Sequence, residues 1–238
     1  MYLRRGELHR QHGAWAEANS DYNRAISCDE SLEIVRVARS RLLLQTGQST
    51  TALEVLAPYV TSHPRDLQAR ILRAGILAEL GNHLPAAAEY TSAIQLQSPA
   101  DPELYISRAR ALANAGDDYL GQAVSGLDEG ITALGELITL ELLAVELDRK
   151  AGENVRAEKR LLKMASRATR KDGVYARLGE FYKETNHPLQ AREAWTSATH
   201  ELEALPVRIR NTSATRELAG KLRRELDNLT SPTKSATP

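Results

Sequence analysis

Residues Arg5–Tyr22, RGELHRQHGAWAEANSDY, set the frame: a small residue at Gly6, a glycine at Gly13, an alanine at Ala18 and an aromatic at Tyr22. Glycine returns at Gly47 and Gly81, each 34 residues on; Gly116 and Gly152 follow at intervals of 35 and 36, and Asn186 comes 34 later. Glycine and asparagine best tolerate the positive φ of a tight turn after a helix. Ala52, Ala86, Ala123, Ala157 and Ala191 continue the alanine column, with two extra residues before Ala123. Seven residues before each turn stand Gly6, Ser40, Ala74, Ala109, Val145 and Gly179, small side chains except for the valine. Four residues after each alanine comes a large one: Tyr22, Leu56, Tyr90, Leu127, Leu161 and Trp195. That spacing puts alanine and knob on one helical face, and the small residues let a second, antiparallel helix approach.

The unit is therefore helix, turn, helix. In period and column chemistry it resembles the tetratricopeptide repeat family, from Met1 to about Leu205. The resemblance implies an all-α, right-handed α-solenoid of about six repeats, spanning 1–32, 33–66, 67–101, 102–137, 138–171 and 172–205. A linker and capping helix over 206–229 follow, with Leu218, Leu222, Leu226 and Leu229 on one face and Thr212 or Ser213 as the cap. The tail 230–238 lacks large apolar residues and is expected to be disordered. Asp101-Pro102 reads as N-cap and first helical residue, Pro188 as a helix start, and Pro58 as a residue that bends or shortens its helix. Glu141 and Asp148 occupy columns that are otherwise large and apolar, which makes the fifth repeat the least regular.

Composition narrows the function. Thirty-one basic residues balance 31 acidic ones, so no net field draws the chain to nucleic acid or an anionic membrane. One cysteine, Cys28, excludes an internal disulfide and argues against a cysteine-based zinc site. No apolar run reaches the ~20 residues of a membrane span. No Gly-rich phosphate loop, nucleophile elbow or HExxH is present, and neither catalysis nor a cofactor is expected. His9 and His12 lie three residues apart, but no further ligands join them; His9 falls in the inward column of Leu43, Leu77, Leu112 and Tyr182, and His12 flanks a turn. The compartment is cytoplasmic by default. Tyr2 already fills a repeat column with no cap before it, which points to residues missing upstream and leaves periplasm or secretion open.

Arg5, Arg39, Arg73 and Arg108 each precede the small residue of a first helix. Asp21 and Glu89, one residue before the knob, are the expected partners of Arg5 and Arg73; Arg39 and Arg108 have no acid in register and are candidates for a ligand. The family places its first helices along a concave groove. Carried onto this sequence, the groove holds Leu3, Val37, Ile71, Ile106, Leu142 and Ala176, with Ile34, Leu72 and Leu143 alongside. Arg4, Glu7, Arg41, Arg110, Glu146, Arg149, Arg177 and Glu180 flank it. Such a stripe suits an extended or helical segment of another protein with aliphatic anchors and acidic flanks. The competing reading is that these aliphatics pack neighbouring first helices together. The family's clamp for carboxylate tails is not matched, because its places hold Leu3, Glu7, Gln68 and Leu72. The expected role is a non-catalytic protein-interaction scaffold. Assembly through charged convex faces, including self-association, is the alternative, because Ala111–Asp148 carries eight acids and no base while Arg149–Lys171 carries nine bases and two acids.

Overall fold

A computed structural model describes residues 1–29 and 32–230, which are all helix and connecting turn. Six helix pairs follow one another: α1 (Tyr2–Gln11) with α2 (Trp15–Cys28), α3 (Ile34–Gln45) with α4 (Ser49–Ser62), and α5 (Leu67–Glu79) with α6 (His83–Leu96). Then come α7 (Pro102–Ala115) with α8 (Leu120–Leu134), α9 (Ile138–Lys150) with α10 (Asn154–Arg167), and α11 (Asp172–Glu184) with α12 (Pro188–Glu203). The last elements are α13 (Val207–Arg210) and α14 (Ser213–Thr230). By contacts the chain divides into two compact units, Met1–Leu147 and Asp148 onward. The expected disordered tail, apart from Thr230 at the end of α14, lies outside the described residues.

The column residues explain the pairs. Gly13, Gly47 and Gly81 have φ of 75°, 75° and 78°, Gly152 has 78°, and Asn186 takes 61° without being glycine. Each of these five reverses the chain between the two helices of a pair, where a Cβ would be strained. Between α7 and α8 the two extra residues are taken up in a three-residue 3-10 turn, Asp117–Tyr119. Beneath the turns, knob meets notch. A Cβ on Gly6 would lie 2.6 Å from Tyr22 Cε1, and one on Gly179 would overlap the Trp195 indole. Ser40 is buried and donates its hydroxyl to the Ala52 carbonyl at 2.7 Å. Alanines of the second helices close the gap: Ala18, Ala52, Ala86, Ala123, Ala157 and Ala191 are all fully buried.

Three expectations need correction. Pro58 does not shorten α4, which continues to Ser62; the proline is on the exposed side, so the carbonyl it leaves without a donor can be hydrated. The stretch after Pro206 is not a plain linker, since Val207–Arg210 forms a helical turn. On α14, Leu222 is buried and Leu218 and Leu226 pack beside it, but Leu229 is 36% exposed. Asp101 does cap α7, accepting from Glu103 N at 2.9 Å, with Pro102 as the first helical residue.

Near the end of α9, a charged cluster stands where most first helices carry a large apolar residue. Asp148 is fully buried and accepts from Arg156 Nε at 2.5 Å and Arg160 Nε at 2.7 Å, both on α10. Glu141 is also buried.

Candidate protein-binding face

The arginine column is mainly structural. Arg5 grips Asp21 through Nε and Nη2, each at 2.6 Å. The hydrogen bonds from Arg5 hold the Asp21 carboxyl below its ordinary range despite its burial. Arg73 bonds Glu89, and Arg70 reaches the other oxygen of the same carboxylate at 3.0 Å. Arg108 is a correction: it is 7% exposed and is not available to a ligand. Its Nη2 donates to Glu129 Oε2 at 2.7 Å and to the Gly126 carbonyl at 2.9 Å. Gly126 holds the register place of Asp21 and Glu89, the acid stands three residues further on at Glu129, and a Cβ on Gly126 would press against this guanidinium at 2.9 Å. Arg39 remains half-buried with no ion pair among the described residues, and its Nε is buried without a hydrogen-bond partner. Val55 stands where the other pairs place Asp21 and Glu89.

In the first unit, much of the aliphatic stripe belongs to the core or packs against it. Val37 and Ile106 are buried at 5% and 8% exposure, and Ile71 and Leu72 pack half-buried against the core clusters. Leu3 does the same against Ala18, Tyr22 and Val35, and Leu142 and Leu143 are half-buried. Ile34 is the most open member, at 41%. The buried members of the stripe, Val37 and Ile106, are thus part of the core clusters.

The flanking charges are partly tied to one another. Glu7 accepts from Tyr22 Oη at 2.5 Å and Arg10 Nη2 at 3.0 Å, with Arg41 Nη1 3.8 Å away. Burial alone would raise the Glu7 carboxyl, but the Arg10 and Tyr22 hydrogen bonds outweigh it and hold it below the usual range. Burial and Glu7 together push the Tyr22 phenol upward. Arg10 Nη1 continues the ladder to Gln45 Oε1 at 2.8 Å. Arg4 and Glu146 are exposed, and Arg110 is 65% exposed with Glu103 at 4.0 Å. Neither Arg10 nor Gln45 stood out in the sequence, because an inter-repeat hydrogen bond leaves no periodic mark.

In the second unit, Ala176 is buried, Arg177 is exposed, Arg149 pairs with Glu184, and Glu180 pairs with Lys221. The paired histidines belong to the scaffold: His9 Nε2 lies 3.9 Å from Asp21 Oδ2, and His12 Nδ1 donates to the Leu8 carbonyl at 2.7 Å. Among the described residues no group of three or more His, Cys, Asp or Glu is placed to hold a metal ion, and no helix is long and apolar enough to cross a membrane.

No family model matches the sequence, and no curated protein is significantly similar to it. Solved structures do match the fold. A tetratricopeptide repeat protein from Parabacteroides merdae ATCC 43184 is 16% identical, with 93% of this chain and 83% of that one covered at a TM-score of 0.54. YrrB, described as a TPR protein with an unusual peptide-binding site, is 11% identical over 85% of this chain and 97% of its own, at 0.54. MamA from Desulfovibrio magneticus RS-1 is 14% identical over 72% of this chain and 96% of its own, at 0.54. The chain thus has the tetratricopeptide-repeat fold.

Proposed function

We propose that this chain is a non-catalytic protein-interaction scaffold that holds a segment of another protein against its first helices. The observation that carries the reading is the open part of that face in the first unit. Ile34 is 41% exposed, and half-buried Leu3, Leu72 and Leu142 share its helix face beside exposed Arg4 and Arg110. Because Val37 and Ile106 are taken up by packing, the anchor surface is narrower than the full stripe. It suits one or two aliphatic side chains with acidic neighbours rather than a long apolar helix. The fold shared with a peptide-binding neighbour supports the same role.

The test is peptide selection from a displayed library on the full chain, with an Ile34→Arg/Arg110→Glu variant in parallel. Both positions are exposed, so the variant keeps its helicity and melting temperature. Selected peptides should carry aliphatic anchors with acidic flanks and bind the variant at least about tenfold more weakly, a loss of about 1.4 kcal/mol. Peptides that bind both proteins equally would remove the first-helix face from consideration.

A further inference from the structure

The last helix repeats the geometry of a first helix. In the first two pairs, Glu7 faces Arg41 at 3.8 Å and Arg10 bonds Gln45 at 2.8 Å. On α11 and α14 the same register positions pair again: Glu180 with Lys221, and Lys183 Nζ with Glu225 Oε2 at 2.6 Å. This alignment puts Gly220 in the notch column of Gly6 and Gly179. Those two notches are filled, by Tyr22 and by Trp195. Among the described residues, a Cβ on Gly220 would meet nothing within 4 Å. Beside Gly220, Leu202, Glu203, Ala219, Arg223 and Leu226 help line an open cleft of about 610 Å³ between α12 and α14.

We propose that this cleft docks an acidic amphipathic helix of a partner protein, seated on Gly220 as α2 is seated on Gly6. The chain's own pairs specify the helix. Arg216 stands four residues before its notch, as Arg70 does, and Arg70 bonds Glu89, the residue before the knob Tyr90. Arg223 stands three residues after its notch in the place of Asp148, which is held by Arg156 and Arg160. Those two arginines directly precede the small residue Ala157 and the knob Leu161. With the charge reversed on α14, the docking helix needs carboxylates at those two places. Its pattern is acid–small–x–x–acid–aromatic or leucine. Among the described residues neither Arg216 nor Arg223 has an ion-pair partner. The lining supplies three arginines, with Arg210, against the two carboxylates Glu203 and Asp227. Residues 231–238, SPTKSATP, contain no aromatic or large aliphatic side chain. This surface is separate from the first-helix face proposed above and stands or falls without it.

A defined probe is available in the chain itself. The α2 sequence WAEANSDYNRAISC has Glu17-Ala18 and Asp21-Tyr22 at the required places. A fluorescein-labelled peptide of this sequence, with Cys28→Ser, is titrated against the full protein by anisotropy. Saturable binding is expected, weakened about tenfold or more by Arg216→Glu/Arg223→Glu in the protein and lost on Gly220→Leu or on Tyr22→Ala in the peptide. Gly220 has open space at its Cβ, so Gly220→Leu retains the wild-type circular dichroism; the charge-reversal variant tests the same cleft without touching the notch. No saturable binding to wild type would overturn the proposal. Equal affinity for wild type and Gly220→Leu would too, since the peptide would then be exchanging into another pair. A dimer seen by sedimentation that Gly220→Leu dissolves would give the cleft to a second copy and overturn the acidic-partner assignment.

Discussion

Arg160 on α10 donates to the fully buried carboxylate of Asp148 on α9 at 2.7 Å, in a column that Leu43, Leu77 and Leu112 fill elsewhere. A large apolar residue has here been replaced by an ion-paired carboxylate, shared with Arg156 at 2.5 Å. Removing one side of such a pair strands the other charge, whereas replacing both sides with apolar groups is close to neutral. Asp148→Ala should therefore cost about 3 kcal/mol. Asp148→Leu with Arg160→Met should recover most of the loss, as read by urea denaturation of both variants. Equal destabilisation by the two would mean that the pair itself is not what the loss measures.

The second pair offers the opposite experiment. Among the described residues the buried Arg39 Nε has no partner, and Val55 occupies the register position of Asp21 and Glu89. Val55→Glu supplies the acid. A partly buried, charge-assisted bond contributes about 1 kcal/mol, which for a chain of this size raises the melting temperature by roughly 2–4 °C. A fall in melting temperature would show that Val55 packing outweighs the pair.

Glycines in the notch column should respond differently according to what sits over them. A Cβ on Gly179 overlaps the Trp195 indole, which is 1% exposed and donates Nε1 to the Ala176 carbonyl at 3.2 Å. Gly179→Ala gains helix propensity but overpacks this contact, for a net loss of about 1–3 kcal/mol. Gly220→Ala meets no atom within 4 Å and should gain up to about 1 kcal/mol from propensity alone. Calorimetric melting temperatures of the two variants, moving in opposite directions, check both claims.

Acid should loosen the fold within a defined window. Arg170 bonds the buried carboxylate of Asp172 through Nε at 2.9 Å and Nη2 at 2.6 Å and depresses its pKa below the ordinary 3.8. Asp21 is depressed by the hydrogen bonds from Arg5. At Asp66 burial pushes upward, but the hydrogen bonds from Ala69 N and Tyr59 prevail and lower it. A carboxyl whose folded pKa lies below its unfolded value binds fewer protons when folded. Its contribution is complete above the unfolded pKa and is lost as pH falls through the folded one. Melting temperature should stay level from neutral pH to about 5 and fall steeply below about 3.8. Asp172→Asn should flatten that fall, and an unchanged slope would contradict the assignment.

The repeat was legible in the sequence because its causes are local and periodic. Positive φ demands Gly13, Gly47 or Asn186 at a fixed interval, and Gly6 must be small because Tyr22 lies over it. Arg5–Asp21 and Arg73–Glu89 could be read the same way, as fixed offsets within one pair. Arg108–Glu129 escaped because Gly126 fills the place of Asp21 and Glu89 and the acid comes three residues later. The groove was harder for a different reason. The pattern that marks Val37 and Ile106 as apolar is the same whether they meet a ligand or the neighbouring helix, and only their burial decides. Ladders between repeats, such as Arg10–Gln45 and Lys183–Glu225, keep their positions but change residue types, so no single residue marks them. The resemblance of α14 to a first helix was hidden by the inserted turn Val207–Arg210, which breaks the 34-residue interval.

The central claim is that the first-helix face holds a segment of another protein. Methyl-labelled NMR spectra of the full chain, recorded with and without a selected peptide, test it most directly. The account predicts the largest shifts at Ile34 and Leu72, with little change at Leu202 and Leu226 in the α12–α14 cleft. Shifts absent from Ile34 and Leu72 at saturating peptide would contradict it.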